Sequence, residues 1–406
     1  MKIGFVGLGK LGLPCAVAMA TKHDVMGYDI NSANMNKEPK PYREAGFTEG
    51  SDFNHELSVS SIKFGSLARV CVHAEVLFVA VQTPHDPEFE GITPLPESRR
   101  DFDYSYLIDA VKSIVECGYN GVVVVISTVL PGTMRREIVP LLRGQSLVYN
   151  PYFIAMGTTI PDFLEPEIVL MGSDSKIAIK TVAQVYSHFG LVRGVHHRMS
   201  IESAELTKVA YNTFISWKIG ITNTLMEICH KVPGASIDDV MYVLKSSDYR
   251  ITSSMYMTGG MGDGGGCHPR DNIAMSWLSR ELDLGHDIFE SAMVAREAQA
   301  KWLALLMLEE SVKHNLPVAI EGYAFKPNTN LTVGSHALLV REFIRKASVH
   351  DKLVDQTTLC HPAVVLIGCA HDYIRDKQWP AGSVIIDPFR MYKDVPGCKY
   401  IPLGVG

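Results

Sequence analysis

Three places in this 406-residue sequence carry cysteine, lysine, asparagine and aspartate in spacings suited to covalent redox chemistry. The stretch GGMGDGGGCHPRD, which reads as a loop, sets six glycines ahead of Cys267 and follows it with His268, Arg270 and Asp271. Any one of eight cysteines in a chain is more often buried filler than a nucleophile. A cysteine that ends a glycine run differs, because bare backbone N–H groups and missing side chains give a ligand room to approach. Thiolate chemistry also wants positive charge nearby, which Lys208 or Arg270 can supply. Lys208 and Asn212 stand four residues apart in AELTKVAYN, so both project from one face of a helix. Alone, such a pair is an ordinary solvated face; in apolar surroundings, a cation beside an amide donor suits an alkoxide or oxyanion.

A second constellation opens the chain. Gly7, Gly9 and Gly12 form G-x-G-x-x-G, with Leu11 inside it, directly after an apolar run and before a helical pattern. The first glycine permits a tight turn, the second lets backbone approach a pyrophosphate, and the third lets helix and strand pack closely. Asp29 follows 17 residues after Gly12, where a carboxylate accepts hydrogen bonds from a ribose diol and repels the 2′-phosphate of NADP. The cofactor expected is therefore NAD. Thr83 and Thr128, at the ends of two later apolar runs, are further expected contacts.

These residues need a scaffold. Lys2–Val6, Asp24–Asp29, Glu75–Val81 and Val122–Ser127 read as buried strands, with helix-length segments such as Tyr104–Glu116 between them, the alternation of a parallel sheet with crossover helices. Ser200–Lys231 keeps a helical period with one glycine and no proline until Val232-Pro233-Gly234 stops it. At 1.5 Å per residue it would run ~48 Å, a length that connects domains or forms a dimer interface. Arg280–Asn315 reads as another helix. Val318–Phe325, Val364–Gly368 and Ser383–Asp387 then read as strands, with a helix at Ser335–Lys346. The expected plan is α/β: a Rossmann-type NAD domain over 1–195, a long-helix all-α domain over 196–315 that carries the cysteine and dimerises, and a Rossmann-like lobe over 316–406. Ligands of such folds sit at the carboxyl ends of parallel strands, here expected between two lobes.

The net charge of −6, without a long Lys/Arg run, argues against a nucleic-acid or membrane partner. Val122–Ile126 and the other apolar stretches are far short of the ~20 residues that span a bilayer, and no secretory signal is evident. The scattered cysteines show neither zinc-ligand nor disulfide spacing, so no metal is expected and a reducing cytoplasm is the simpler setting.

Over nearly its whole length the chain resembles the UDP-glucose/GDP-mannose dehydrogenase family. The similar segments run in family order: PYREAG (Pro41–Gly46), AEVLFVAVQTP (Ala74–Pro84), STVLPGT (Ser127–Thr133), AELTKVAYN, DYRI (Asp248–Ile251), the Cys267 stretch, GYAFKPNT (Gly322–Thr329) and GCAHDY (Gly368–Tyr373). The resemblance implies a four-electron oxidation of the C6 primary alcohol of a nucleotide sugar, UDP-glucose by default, with two NAD. An aldehyde forms, Cys267 adds to it, and the thiohemiacetal becomes a thioester that water hydrolyses to a uronic acid. By position it implies that Lys208 and Asn212 stabilise the oxyanion, and that Asp271 and Thr128 orient or deprotonate water. It also implies that Tyr152, Phe153, Gly264, Arg250 and Lys326 bind the sugar nucleotide, Arg250 across a homodimer formed through the central helix.

The chain departs from the family at several points. Family members usually read N-P-E-F-L where this chain has NPYFIAMG, so Tyr152 replaces a glutamate thought to act in hydrolysis and Met156 stands where a second acid often lies. A phenol with pKa ≈ 10 is a poor base near neutral pH. Asp263, His268 and Arg270 depart from F-G-G-S-C-F-P-K-D, Val333 replaces an arginine, and the stretch between Ala347 and Pro362 is short. Two other functions compete: a two-electron β-hydroxyacid-type dehydrogenase, against which the cysteine and the last lobe argue, and a protein that binds NAD and a sugar nucleotide without full turnover.

Overall fold

The computed structural model describes all residues except Arg43, Glu49, 85–99, Met156, 191–194, 264–266, 348–352, 354–358 and Gly406, and only the backbone of Val195, Cys267 and Arg270. The chain forms two compact units, Met1–Ser216 and Trp217–Gly406. No described helix is long and apolar enough to cross a membrane.

In the first unit the strands are β1 (Lys2–Val6), β2 (Asp24–Tyr28), β3 (Lys63–Phe64), β4 (Val76–Val79), β5 (Val122–Val125), β6 (Ser146–Tyr149), β7 (Ile168–Gly172) and β8 (Val195–Met199). Its helices are α1 (Gly12–Ala20), α2 (Phe53–Val59), α3 (Leu67–His73), α4 (Ser105–Glu116), α5 (Thr159–Leu164) and α6 (Lys176–Ser187), and α7 (Ile201–Lys231) begins in it. The described strands form one sheet in the order β3-β2-β1-β4-β5-β6-β7-β8, parallel except where β6 meets β7. Side chains alternate across the pleat. Ile3, Phe5, Val76 and Phe78 face one buried cluster with α1, and Val6, Leu77 and Val79 face another with α4. Phe5 and Phe78 stack with ring centroids 5.2 Å apart. After β3 the chain crosses back to β4, so the strand order reverses between β1 and β4, where ligands of doubly wound sheets bind.

The second unit holds α8 (Ile237–Lys245), α9 (Cys267–Glu281) and α10 (Ile288–His314), followed by β9 (Val318–Glu321), α11 (His336–Lys346), β10 (Val364–Ile367), α12 (Asp372–Arg375), β11 (Val384–Asp387) and β12 (Lys399–Pro402). The described strands form a parallel sheet ordered β12-β11-β10-β9. Val364 and Leu366 pack against Ala300, Leu303, Ala304 and Met307 of α10, and Val365 and Ile367 face the opposite cluster with Trp379. The α/β class expected from the sequence is the class observed.

Three expectations need correction. The continuous helix expected over Arg280–Asn315 is broken between α9 and α10. Asp283 takes a left-handed φ of 50°, and the Asp287 side chain accepts from Glu290 N at 2.9 Å to cap a new helix. The strand expected to reach Phe325 ends at Glu321, because Gly322 turns at φ 83°. Cys267 and the residues after it belong to the first turns of α9 rather than to a loop; Pro269 is tolerated there because early helical N–H groups have no intrahelical acceptor.

Candidate active site

The cofactor end of the first unit is built from what the glycines omit. Gly7 leaves β1 at φ 91°, and a β-carbon on it would lie 2.7 Å from the Ala80 carbonyl oxygen. One on Gly12, the first residue of α1, would lie 2.0 Å from the Gly7 carbonyl oxygen. Around Gly9, by contrast, no heavy atom comes within 4 Å of the β-carbon position, so backbone is bare on the side a ligand would approach. Asp29 is buried beside this turn. Its Oδ2 accepts from Leu8 N at 2.6 Å and its Oδ1 from Asn31 N at 2.8 Å, and each oxygen keeps a lone pair for a further donor. A bare turn, the start of a helix and an adjacent carboxylate are what a dinucleotide's pyrophosphate and ribose require, so these residues fit NAD.

A cleft of about 900 Å³ runs from this turn, lined by Gly9 and Leu11, by Thr83 and Thr128, and by Tyr152 and Lys208. Thr83 Oγ1 donates to Thr128 O at 2.6 Å, and Ser127 Oγ donates to Val81 O at 2.6 Å. These bonds stitch the ends of β4 and β5 into one wall.

Lys208, on α7, is only 8% exposed. Its Nζ donates to Tyr152 O at 2.7 Å and sits 5.0 Å from the Phe153 ring centroid. That acceptor is a neutral carbonyl, and desolvation holds the ammonium pKa below the usual lysine range. Phe153 is fixed in turn by edge-on contact with Tyr211, centroids 4.7 Å apart. Asn212, one turn beyond Lys208, is exposed.

Tyr152 presents its main chain to Lys208 and turns its ring elsewhere. The hydroxyl lies 3.2 Å from that of Tyr186, which donates to Asn150 Oδ1; Asn150 Nδ2 donates to Leu170 O at 2.7 Å. Burial pushes the Tyr152 phenol well above its ordinary pKa, with Tyr186 and Cys15 adding to the shift. Tyr152 therefore offers no base.

In the second unit Cys267 opens α9, and Asp271, exposed, follows four residues later on the same helical face. The Cys267 side chain, Gly264 and Met156 lie outside the described residues. The chain before the cysteine is clamped through two carbonyls and a carboxylate: Arg390 donates to Gly259 O at 2.5 Å, Gln299 Nε2 to Gly260 O at 3.0 Å, and Arg296 Nε to Asp263 Oδ1 at 2.6 Å. Arg250 is exposed in a turn. Lys326 is exposed in the segment after β9, where Thr329 Oγ1 donates to Lys326 O at 2.9 Å and Asn328 N donates to His371 Nδ1 at 2.9 Å. Among the described residues no cluster of three or more His, Cys, Asp or Glu is arranged to hold a metal.

Thus the first unit brings Gly9, Leu11, Thr83, Thr128, Tyr152 and Lys208 to one cleft. Sequence reasoning missed Glu205, Asn150, Tyr186 and Arg296. Only Glu205 left a trace, as a carboxylate on the apolar side of α7 three residues before Lys208.

Comparison with known proteins agrees with this geometry. The NAD-binding domain of the UDP-glucose/GDP-mannose dehydrogenase family matches residues 1–190, and the central domain of the same family matches 202–297. A UDP-glucose 6-dehydrogenase of Haloferax volcanii is 27% identical over 365 residues, covering 84% of this chain and 80% of that protein. A GDP-mannose 6-dehydrogenase of Pseudomonas aeruginosa is 26% identical over 351 residues, covering 81% and 75%. The structure of a ternary complex of Pseudomonas aeruginosa GDP-mannose dehydrogenase shares the fold with a TM-score of 0.84 at 23% identity, covering 98% of this chain and 99% of that one.

Two outcomes follow from the site. Asp29→Asn, which keeps the shape but removes the charge, raises KM for NAD about tenfold, or ~1.4 kcal/mol, and lowers the preference for NAD over NADP; unchanged initial-rate constants for both cofactors would refute the role. A reaction that uses the Lys208 cation loses rate as pH rises through its lowered pKa. Lys208→Arg stays charged, so the alkaline limb of kcat moves to higher pH; a limb at the same pH in both proteins assigns it to another group. The sign for stability is opposite: the unfolded chain holds this proton more tightly, so stability rises across that pH window.

Proposed function

The chain belongs to the UDP-glucose/GDP-mannose dehydrogenase family, and on that premise we propose that it oxidises C6 of a nucleotide sugar to the carboxylate through a covalent Cys267 thioester. The observation that carries this reading is Lys208, a buried cation without a carboxylate partner among the described residues, lining the same cleft as the bare Gly9 turn. A protein has little reason to keep such a charge dry unless negative charge develops beside it.

NAD, when bound, supplies the hydride acceptor, and two equivalents balance the four electrons removed from each sugar. Lys208 and Asn212 hold the C6 oxygen while it carries negative charge. Cys267 Sγ forms a bond to C6 of the aldehyde. That C–S bond breaks when the oxygen of water adds to the thioester, the thiolate leaving as the acid forms. Asp271 takes the water's proton and Thr128 orients the water. Cys267 begins a helix, where the positive end of the backbone dipole favours a thiolate, and Asp271 shares its face. Tyr152 contributes main chain and Phe153 its ring to the sugar site, and Gly264, Arg250 and Lys326 hold the rest of the nucleotide sugar. UDP-glucose is the reference substrate.

A second reading is favoured by one observation. The residue where the family carries a glutamate is Tyr152, whose phenol is tied to Tyr186. Hydrolysis then rests on Asp271 alone, and a protein in which Asp271 does not suffice would stop at the aldehyde or the thioester. A homodimer through α7 belongs to the first reading, supported by exposed Phe214, Trp217 and Ile219 on α7 and Trp277 on α9.

Three measurements decide. With NAD and a panel of UDP-, GDP-, TDP- and CDP-sugars, two NADH per sugar are expected. One NADH per sugar marks release of the aldehyde and a burst of two NADH per protein chain without further turnover marks a stalled thioester, either of which supports the second reading; none across the panel removes the enzyme. Cys267→Ser should lower the NADH yield, and an undiminished yield would sink the cysteine mechanism. In sedimentation the protein should run at twice its 44.8 kDa chain mass; a single species of 44.8 kDa refutes the dimer.

A further inference from the structure

We propose that Glu205 is a positioning residue that fixes Lys208 against the Thr128 wall of the cleft, an inference that rests on the catalytic reading of Lys208. Glu205 is fully buried, in a turn of α7 whose other inward residues, Ile201 and Ala204, are apolar. An ionised carboxylate only accepts hydrogen bonds, and both oxygens of Glu205 do so. Its Oε2 takes Gly132 N at 2.6 Å and its Oε1 takes Met134 N at 2.7 Å. Those two amides belong to the segment that continues from Thr128. That segment is internally tight: Thr133 N donates to Leu130 O at 3.1 Å and Arg136 N to Gly132 O at 3.0 Å, with Gly132 at φ 86°. At the other end of the side chain, Glu205 and Lys208 are three residues apart and lie on one face of α7.

One carboxylate therefore joins the two sides of the cleft that carry Thr128 and Lys208. Apolar packing holds a helix against a sheet but tolerates small slides, whereas two short charge-assisted bonds to fixed amides set a register. The other ties in this region are of a different kind. Arg135 bridges Glu202 at 2.6 Å and also Asp174, but these groups are substantially exposed. Tyr211 OH donates to Glu167 at 3.1 Å at the surface. Exposed pairs of this sort contribute little; the Arg135–Glu202 pair also joins α7 to this segment, but through solvent-exposed side chains and not through the two amides that Glu205 holds.

Glu205→Gln keeps the volume but turns an N–H donor toward a backbone N–H. With UDP-glucose or GDP-mannose, whichever yields NADH, it is expected to lower kcat about thirtyfold, within the loss that follows from ångström-scale misplacement of a catalytic group. KM for NAD should stay within twofold, because the glycine turn is held separately. Glu205→Asp, charged but too short to span both amides, should lose a similar factor. Glu202→Gln, which breaks the exposed pair on the preceding turn, should leave kcat within twofold. The deciding readout is a double-mutant cycle. If Glu205 acts through Lys208, Glu205→Gln lowers kcat less than threefold once Lys208→Ala is present. An equal loss in both backgrounds overturns the proposal, as does wild-type kcat in Glu205→Gln. Loss of NAD binding together with kcat also overturns it, in favour of a plain structural role. If Lys208→Ala alone keeps full kcat, the catalytic reading of Lys208 has failed, a result distinguishable from an inert Glu205 beside an impaired Lys208→Ala.

Discussion

Between β1 and α1 the backbone closes on itself so tightly that a β-carbon at Gly12 would stand 2.0 Å from the Gly7 carbonyl oxygen. That contact brings α1 down onto the sheet, where Cys15, Ala16 and Met19 join the buried cluster around Phe5 and Phe78. It also brings Gly7 against Ala80 at the end of β4, at the point where the strand order reverses. The cleft exists because these backbones meet there without side chains between them. Thr83, Thr128 and Lys208 can line it only because the two strands and the helix that carry them are held to the same sheet.

Around that turn the first unit buries several charged groups, each given directional partners. Asp29 takes two backbone amides, and so does Glu205. Glu44, in the similar PYREAG segment, takes Gly157 N at 3.1 Å and both the N (2.5 Å) and the Oγ1 (2.9 Å) of Thr159. A buried carboxylate without donors would lose more in desolvation than packing returns. With two or three amides it becomes a fixed pin between segments distant in sequence. All three carboxylates pin loops to the rim of the cofactor region, and local stiffness is concentrated where geometry matters for chemistry.

What could be read from the sequence was what is local and periodic. The glycine turn, β1, β2, β5 and α7 follow from spacing, because steric needs of a tight turn and the pleat or helix period act over a few residues. Lys208 stood out because its neighbours on α7 are apolar. The break between α9 and α10 was not legible: Leu-Asp-Leu-Gly-His-Asp contains no proline, and the interruption depends on Asp283 taking a left-handed conformation. Nor could spacing show that Glu205 reaches Gly132, 73 residues earlier, or that Arg296 reaches back 33 residues to Asp263. Such pairings are decided by tertiary packing, and a charged residue on an apolar helix face signals only that some partner exists. The orientation of Tyr152 was equally hidden, since its main chain and its ring serve different neighbours.

That division of Tyr152 bears on the electrostatics of the cleft. A glutamate at this position would put a carboxylate within reach of the lysine that lines the same cleft and would neutralise part of its charge. The tyrosine ring is instead drawn into the aromatic cluster with Phe163 and Tyr186, and the segment offers Lys208 only a carbonyl oxygen. A carbonyl dipole orients an ammonium without cancelling its charge. In a site of low polarisability the uncancelled field acts on whatever enters next, and it favours an oxygen that gains negative charge over the neutral alcohol it came from. Tyr152 thus leaves the charge of Lys208 uncancelled and adds no base to the cleft.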